Sequence, residues 1–530
     1  MSKKRILKNL IDLSTGTFIS RILGFLRELV TAAYYGTGKA MDLFVIAFTI
    51  PTFFRHFLGE DVVERAFMPP FKKLISLRKY QSAWRLLSSC LNIMILALIA
   101  FMGLCYLIAP LLVQIIAPGL EERFMDQAVR MTYWILPFML LIGLASFVGG
   151  ILNFFEMNKI YSIAPAFMSV GVMIGIHFFQ PYLGIYSLAA GFLLGGLLEF
   201  IIQIPFLLVK KIRRDTEAKY HGTIDLREQE FRTVGRESGF ILMKSLLDKS
   251  VEIVGRMLAS FLVSGSIASL WFSQRLIQLP VAIIGLAISR SLIPYLTERK
   301  ALLDEREFVK GIRTGITMNF VLIIPTTAFM IIMGQPIVSL VYERGSFDSE
   351  STYLTGIAFL YYAIGLLGLS LNAFFSRVFS IYQKNKLPFY VSIGSSVLNI
   401  ILMLFLVKTP LKHGGIALAS SLAFTANSLV LFLYLLKELT VKLKLSALVE
   451  ELMLIIGYST IAGLAAGYLY QHLLIKWSER YFDSLFIQNL VNILIIGGVI
   501  LVIFVVLVLV FGPDSLKLQI MRFRKRVKKR

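Results

Sequence analysis

The sequence predicts an all-α integral membrane protein of about fourteen transmembrane helices, arranged as two pseudo-symmetric six-helix lobes plus two C-terminal helices. Three observations predict it. Apolar stretches long enough to cross a hydrocarbon core of roughly 30 Å recur from end to end. Basic residues gather in alternate loops. A pattern of residues recurs at an offset of about 225 positions.

Of 530 residues, 57% are hydrophobic, and the mean hydropathy is +0.75, which excludes a soluble globular domain of this length. The spans read as 10–34, 42–66, 86–116, 129–154, 160–180, 184–209, 238–262, 267–296, 314–342, 352–378, 387–407, 414–436, 450–473 and 486–511. These lengths fit helices rather than barrel strands, the only two spanning designs. Cys90 and Cys105 both lie in one apolar run and carry no metal or redox spacing. The basic start Met1-Ser-Lys-Lys-Arg5 precedes a helix holding Arg21 and Arg27, so a cleavable signal peptide is not expected.

With fourteen spans, one side of the membrane collects 36 Lys and Arg and the other only seven, so both termini are expected in the cytoplasm. The net charge of +22 is therefore mostly a topology signal. The tail Arg522-Phe-Arg-Lys-Arg-Val-Lys-Lys-Arg530 suits anionic lipid, and nucleic acid is not expected as a partner.

The repeat carries the domain organisation. Arg65-Ala-Phe-Met-Pro69 resembles Arg290-Ser-Leu-Ile-Pro294, and Gly143-Leu-Ala-Ser resembles Gly368-Leu-Ser-Leu. Pro110 and Gly119 match Pro336 and Gly345 with the same spacing. Spans 1–6 and 7–12 thus read as two parallel copies of one unit, a plan that places substrate between the halves. The expected divisions are 1–209 for the first lobe, a basic cytoplasmic loop at 210–237, 238–436 for the second lobe, 437–511 for the last two spans, and a basic tail at 512–530.

Eleven Lys and Arg remain inside spans, and they carry the functional signal. Some, such as Arg65, Arg130 and Arg290, sit near helix ends and can snorkel. Arg21, Arg55 and Arg275 lie deeper, where each costs at least ~2.5 kcal/mol to insert. Carboxylates are too few to pair with them all, so a cavity with surplus positive charge should attract an anion, and the guanidinium fork suits phosphate. Arg21, Arg27, Arg55 and Arg275 form the candidate binding group, against structural pairing as the alternative. Gly24 leaves room between Arg21 and Arg27, while Pro51 and Pro280 can break their helices at mid-depth. On span 7, Lys244, Asp248, Glu252 and Arg256 recur every four residues as one charged stripe, with Lys249 beside it. The stripe reads equally as cavity lining or as internal pairing through Lys244–Asp248 and Glu252–Arg256. His56, beside Arg55, is the one histidine near this group. No phosphate loop, HExxH or GxSxG occurs, so the chain is not expected to be an enzyme. No cofactor is expected; a coupling cation and the membrane potential are the candidate energy sources.

These residues also carry a resemblance. Ser20-Arg21-Ile-Leu-Gly24-Phe-Leu-Arg27-Glu28, Asp42-Leu-Phe-Val-Ile-Ala-Phe, Pro51-Thr-Phe-Phe-Arg55, Ala66-Phe-Met-Pro69, Ala117-Pro-Gly119, Leu144-Ala-Ser-Phe-Val-Gly-Gly-Ile-Leu-Asn153 and Arg275-Leu-Ile-Gln-Leu-Pro280 resemble the MurJ/MviN lipid II flippases of the MOP transporter superfamily, over nearly the whole chain. The resemblance implies a cationic cavity between two lobes, with a lipid-facing groove on the last two helices. It implies transport of undecaprenyl-diphosphate-linked disaccharide-pentapeptide across the bacterial inner membrane for cell-wall synthesis, whose machinery is a candidate partner along with membrane lipids. It places Arg21, Arg27, Arg55 and Arg275 at the functional cavity arginines of the family, and Glu28, Asp42 and Glu60 at family acidic positions; Ser20 and Gly24 join the arginines as substrate-binding candidates. Together with Lys244, Asp248, Glu252 and Arg256, those acids are the gating or coupling candidates. Three features depart from the family pattern: Gln278, the acidic run Gly59-Glu-Asp-Val-Val-Glu64, and the rich stripe on span 7. The alternatives are a flippase for another polyprenyl-linked glycan, a cation-coupled exporter of the same superfamily, and a non-transporting membrane scaffold.

Overall fold

A computed structural model describes residues 3–54, 62–207, 222, 224–225, 229–513 and 517, and among these it is helical without a strand. Each expected span is mainly helical where its residues are described, with turns or bends at 136–137, 184–185, 260–262, 333, 365 and 407. The helices are α1 (Lys3–Tyr35), α2 (Lys39–Phe54), α3 (Met68–Ser76), α4 (Tyr80–Ile116), α5 (Glu122–Ile135), α6 (Phe138–Phe154), α7 (Asn158–Leu183) and α8 (Tyr186–Leu207). Next come α9 (Gln229–Ala259), α10 (Ser266–Pro280), α11 (Leu286–Ala301), α12 (Glu305–Ile332), α13 (Gly334–Tyr342), α14 (Ser349–Ile364) and α15 (Leu366–Ile381). The chain continues through α16 (Lys386–Leu406), α17 (His413–Glu438), α18 (Leu445–Leu469), α19 (Ile475–Tyr481) and α20 (Leu485–Phe511).

Among the described residues, ten helices are long and apolar enough to cross a membrane, or up to eleven when α14 and α15, bent by 46° at Gly365, make one span. The expected spans outside this set are the first, second and seventh. Charges lower the apolar character of α1 and α9, and α2 is only 16 residues long as far as Phe54. These three are helices on which the sequence places candidate site residues.

The prolines act as their chemistry requires. Pro51 offers no N–H to the Ala47 carbonyl, yet α2 continues to Phe54. Pro280 ends α10, and a π-helical turn, Val281–Gly285, leads into α11.

The chain divides into two compact units, Met1–Ala268 with Arg344–Phe347, and Ser269–Glu343 with Asp348–Arg530. This division follows packing, whereas the expected lobes follow the sequence repeat.

In the first unit, α7 and α8 form the closest pair. Gly171 and Gly175 on α7 meet Gly191 and Gly195 on α8, and a Cβ at Gly195 would stand 2.4 Å from the Met168 carbonyl oxygen. Lipid tails are as apolar as leucine, so such pairs are held by close van der Waals packing that only small residues permit. Gly16 brings α1 onto the same platform, against Ser162 of α7. Phe44, Phe48, Phe138 and Phe192 stack between α2, α6 and α8, with ring centroids 4.5–5.8 Å apart.

In the second unit, Gly365 and Gly368 let the α14–α15 bend approach Ser421 and Thr425 of α17. Leu296, Phe308, Ile312, Phe374, Val378 and Leu435 are among its core residues. A second cluster joins Ile455, Ala462 and Ala466 of α18 to Ile496, Ile500 and Phe504 of α20.

The repeat is written into the backbone. Arg78 and Leu303, 225 positions apart, both adopt left-handed φ of 57°. Glu156 (62°) pairs with Gln383 (57°), 227 positions on, and Gly184 (53°) with Lys412 (50°), 228 positions on. Such angles are uncommon outside glycine, so coincident turns mark corresponding corners of one design. The matched glycines behave alike too. Within the first unit, Gly345 abuts the Ala33 carbonyl of α1, while Gly119 abuts Phe261 just past α9 and donates its N–H to Ser260 Oγ at 3.0 Å.

Two outcomes follow. Gly195→Ala is expected to lose about 1–3 kcal/mol of stability through backbone overpacking. Gly394→Ala, with nothing within 4 Å of its Cβ, should not; thermal unfolding of the two variants in detergent compares them. The second concerns Asp348, which caps α14 by accepting from the Ser351 N–H at 2.8 Å, and that hydrogen bond holds its carboxyl below the usual Asp range. The native state therefore binds this proton more weakly than the unfolded chain does. The stabilisation is complete above the ordinary carboxylate range and is lost as pH falls through it towards the lowered value. Asp348→Asn should show a smaller loss of melting temperature between neutral and acid pH than the parent.

Candidate functional site

On α1, residues Ser20, Gly24 and Arg27 fall on one helical face, with Arg21 and Glu28 on the adjoining strip. The platform helix α7 fixes this orientation: Gly16 seats against Ser162, whose hydroxyl donates to the Asp12 carbonyl at 3.4 Å. Gly24 is looser. A Cβ there would meet only Ser169 Oγ, at 3.9 Å, so the room expected at Gly24 is present.

The two arginines of α1 differ. Arg27 donates from Nη2 to Glu28 Oε1 at 2.6 Å, and both side chains are nearly buried, 12% and 8% exposed. Its guanidinium carbon lies 5.4 Å from the Phe192 ring centroid on α8, so the aromatic stack positions it. Arg21 is exposed and forms no ion pair among the described residues.

Asp42 has a defined structural task. Its Oδ2 accepts from the Gly265 N–H at 2.7 Å and its Oδ1 from the Ala268 N–H at 2.8 Å. Both oxygens thus cap the start of α10, satisfying donors that a helix start leaves open. Gly265 adopts φ +88°, and a Cβ there would stand 2.4 Å from the Thr37 carbonyl oxygen.

On α9, Glu252 is bracketed by two cations. Lys249 Nζ lies 2.8 Å from one of its oxygens and Arg256 Nη2 lies 2.5 Å from the other. Arg256 is buried and also donates to Thr49 Oγ1 on α2. The described part of the stripe is therefore internally paired and tied to α2. The side chains of Lys244 and Asp248, and all of Arg55, His56 and Glu60, lie outside the described residues.

In the second unit, Arg275 is partly buried on α10, and its guanidinium carbon sits 4.3 Å from the Trp271 ring centroid. Gln278, one turn on, is exposed. Sequence reasoning missed one pair here, at the ends of two expected spans: Arg313 Nη2 of α12 lies 2.9 Å from Glu451 Oε2 of α18, whose side chain is 3% exposed. The signal was an acid in the first turns of an otherwise apolar helix. Among the described residues, no group of three His, Cys, Asp or Glu side chains is placed to hold a metal ion.

The family model described as lipid II flippase MurJ matches residues 31–492. A probable lipid II flippase MurJ of Buchnera aphidicola subsp. Baizongia pistaciae is 28% identical over 431 residues, 81% of this chain and 83% of that one. The lipid II flippase MurJ of Burkholderia cenocepacia is 26% identical over 441 residues, 82% of this chain and 84% of that one. Among solved structures, a lipid II flippase MurJ in an inward closed conformation matches with a TM-score of 0.77 at 24% identity, covering 94% of this chain and 99% of that one. An inward-facing multidrug resistance MATE family transporter of the MOP superfamily matches with a TM-score of 0.66 at 14% identity, covering 83% and 99%. Both structural likenesses show the fold.

The Glu252 pairing has a measurable consequence. Glu252→Gln should destabilise the protein by about 3–5 kcal/mol, because it leaves buried Arg256 short of its counter-charge. Adding Arg256→Met should recover part of that loss. A double-mutant cycle on thermal stability measures the coupling; strict additivity would show that the pair contributes nothing.

Proposed function

The chain belongs to the lipid II flippase MurJ family, and on that premise we propose that it carries lipid II from the cytoplasmic to the periplasmic leaflet of the bacterial inner membrane by alternating access. The fold is that of membrane transporters, and the chemistry is translocation without covalent change. The observation that carries the site assignment is the exposed Arg21, without an ion-pair partner among the described residues, on a helix too charged to be an ordinary span.

In this reading Arg21, Arg27, Arg55 and Arg275 hold the diphosphate, with Ser20 beside them and Gly24 leaving space for a bulky headgroup. Arg21 supplies charge that no described acid offsets. Arg27 supplies charge in exchange: a phosphate oxygen competes with Glu28 for its guanidinium, and the displaced Glu28 becomes the group that must find a proton or a cation. Glu28 is thus the first coupling candidate. Asp42, Glu60, Lys244, Asp248, Glu252 and Arg256 are gating candidates. Asp42 acts by holding the start of the helix that carries Arg275, and Glu252 and Arg256 act by tying α9 to α2. The polyprenyl tail stays in lipid against α18 and α20, whose outward residues Leu464, Leu494, Leu501 and Val502 are exposed. Both termini lie in the cytoplasm, as the distribution of basic loops supports. Cationic groups offset the penalty of moving phosphate charge through low dielectric, and the membrane potential, at ~2.3 kcal/mol per charge per 100 mV, helps return the empty cavity.

A leaflet-accessibility assay in cells, or reconstituted flipping, tests the assignment. Losing one charged hydrogen-bond donor to phosphate amounts to about 1.5–3 kcal/mol. Arg21→Ala, Arg27→Ala and Arg275→Ala are each expected to reduce flipping about tenfold or more. Wild-type flipping by all three variants would remove the cavity role from these residues.

A further inference from the structure

The two hairpins that the repeat pairs on the basic side of the protein differ in how their charges are answered. In the second repeat the turn between α11 and α12 mixes both signs and closes on itself. Lys300 pairs with Glu305 at 2.6 Å, Lys310 with Glu307 at 3.0 Å, and Arg299 with Asp304 at 3.9 Å. In the first repeat the hairpin from α3 into α4 carries Lys72, Lys73, Arg78, Lys79 and Arg85. No Asp or Glu occurs between Arg65 and Glu121. All five cations are exposed, and among the described residues none forms an ion pair.

The same hairpin is amphipathic. Met68, Phe71 and Leu74 of α3 face inward and are buried, which pins the helix to the protein. Lys72 and Lys73 point outward, and Leu77 is 56% exposed at the tip, next to the left-handed Arg78. Five like charges within fourteen residues repel one another unless counter-charge comes from outside. A soluble polyanion or an acidic peptide would answer the cations and leave the leucine in water. A zwitterionic lipid surface would take the leucine and leave the cations unanswered. Cations framing an exposed apolar tip match an anionic bilayer surface, where the apolar group enters the acyl boundary and each base meets a phosphate.

We propose that the 68–85 hairpin is a docking surface for anionic phospholipid headgroups of the cytoplasmic leaflet. This rests on the orientation proposed above. The corresponding hairpin of the second repeat, neutralised by its own acids, has no such selectivity, so lipid charge engages the two repeats unequally.

The test uses the full chain with Cys90→Ser, Cys105→Ser and Leu77→Cys, labelled at position 77 with an environment-sensitive fluorophore, in nanodiscs. Brominated phosphatidylglycerol is expected to quench the label several-fold more than brominated phosphatidylcholine at equal mole fraction. Each single Lys or Arg→Gln change should lower that enrichment by up to about fivefold, and the variant with all five replaced should lose it. Equal quenching by the two lipids, or a preference that survives all five changes, overturns the proposal. So does displacement of the lipid by inorganic pyrophosphate or polyglutamate, which would make the surface a site for soluble anions. In cells, an impermeant maleimide should label position 77 only after permeabilisation. Labelling of intact cells overturns the orientation and the leaflet assignment together. Cytoplasmic labelling without lipid selectivity overturns the docking surface alone.

Discussion

A charge inside hydrocarbon has to be answered by another charge, by hydrogen-bond donors, or by water and ligand. The polar interior of this protein is a set of such answers. Arg27 is answered by Glu28, and Glu252 by Lys249 and Arg256 together. Asp42 is answered by two backbone donors at a helix start, and Arg313 by Glu451. Breaking any of these would leave a charge stranded, which is more damaging than never having had the pair. Arg21 has no such partner among the described residues and is exposed. That difference singles out Arg21 from the paired charges, and it is the observation on which the proposed substrate role rests.

Holding Arg21 and Arg27 in place requires a rigid helix beneath them, and small residues supply it. The four glycines of α7 and α8 bring two backbones into contact, and Gly16 lays α1 along the same platform. The Phe44, Phe48, Phe138 and Phe192 stack then fills the space beside Arg27, with Phe192 under the guanidinium. Close backbone approach, aromatic packing and arginine placement are therefore one chain of cause. It runs from the small side chains of α7 and α8 to the placement of Arg27 on α1.

Much of this was legible in the sequence, and the reason is physical. Span length and the side preference of Lys and Arg are fixed by the bilayer, so helix positions could be read directly. The repeat was legible in matched residues such as Pro110 and Gly119 with Pro336 and Gly345, and the structure extends it to corners that the sequence did not mark, Arg78 and Leu303. Their identities differ, and only the backbone angle reveals the equivalence. The partner of each charge was harder to see. Glu252–Arg256 followed from helical spacing, whereas Asp42 with Gly265 and Arg313 with Glu451 join residues 223 and 138 positions apart. Arg27 with Glu28 defied spacing altogether, because neighbours on a helix do not face each other and only a long side chain can fold back. On α1 and α9, two expected spans with weak apolar signal, polar residues answer one another through Arg27–Glu28 and Glu252–Arg256.

The repeat also explains why function has to break the symmetry that the fold keeps. α1 and α9 are the opening helices of the two copies, and the ends of both are met by matched glycines, Gly345 and Gly119. Their charges have diverged. On α9 the described stripe closes on itself through Glu252, while on α1 Glu28 engages Arg27 and leaves Arg21 open. On the proposed reading, a substrate with one diphosphate needs one concentration of uncompensated positive charge, and two equivalent ones would compete for it. Duplication supplied the scaffold twice, and the pairing of charge on α9 let it serve as structure while α1 kept the exposed guanidinium.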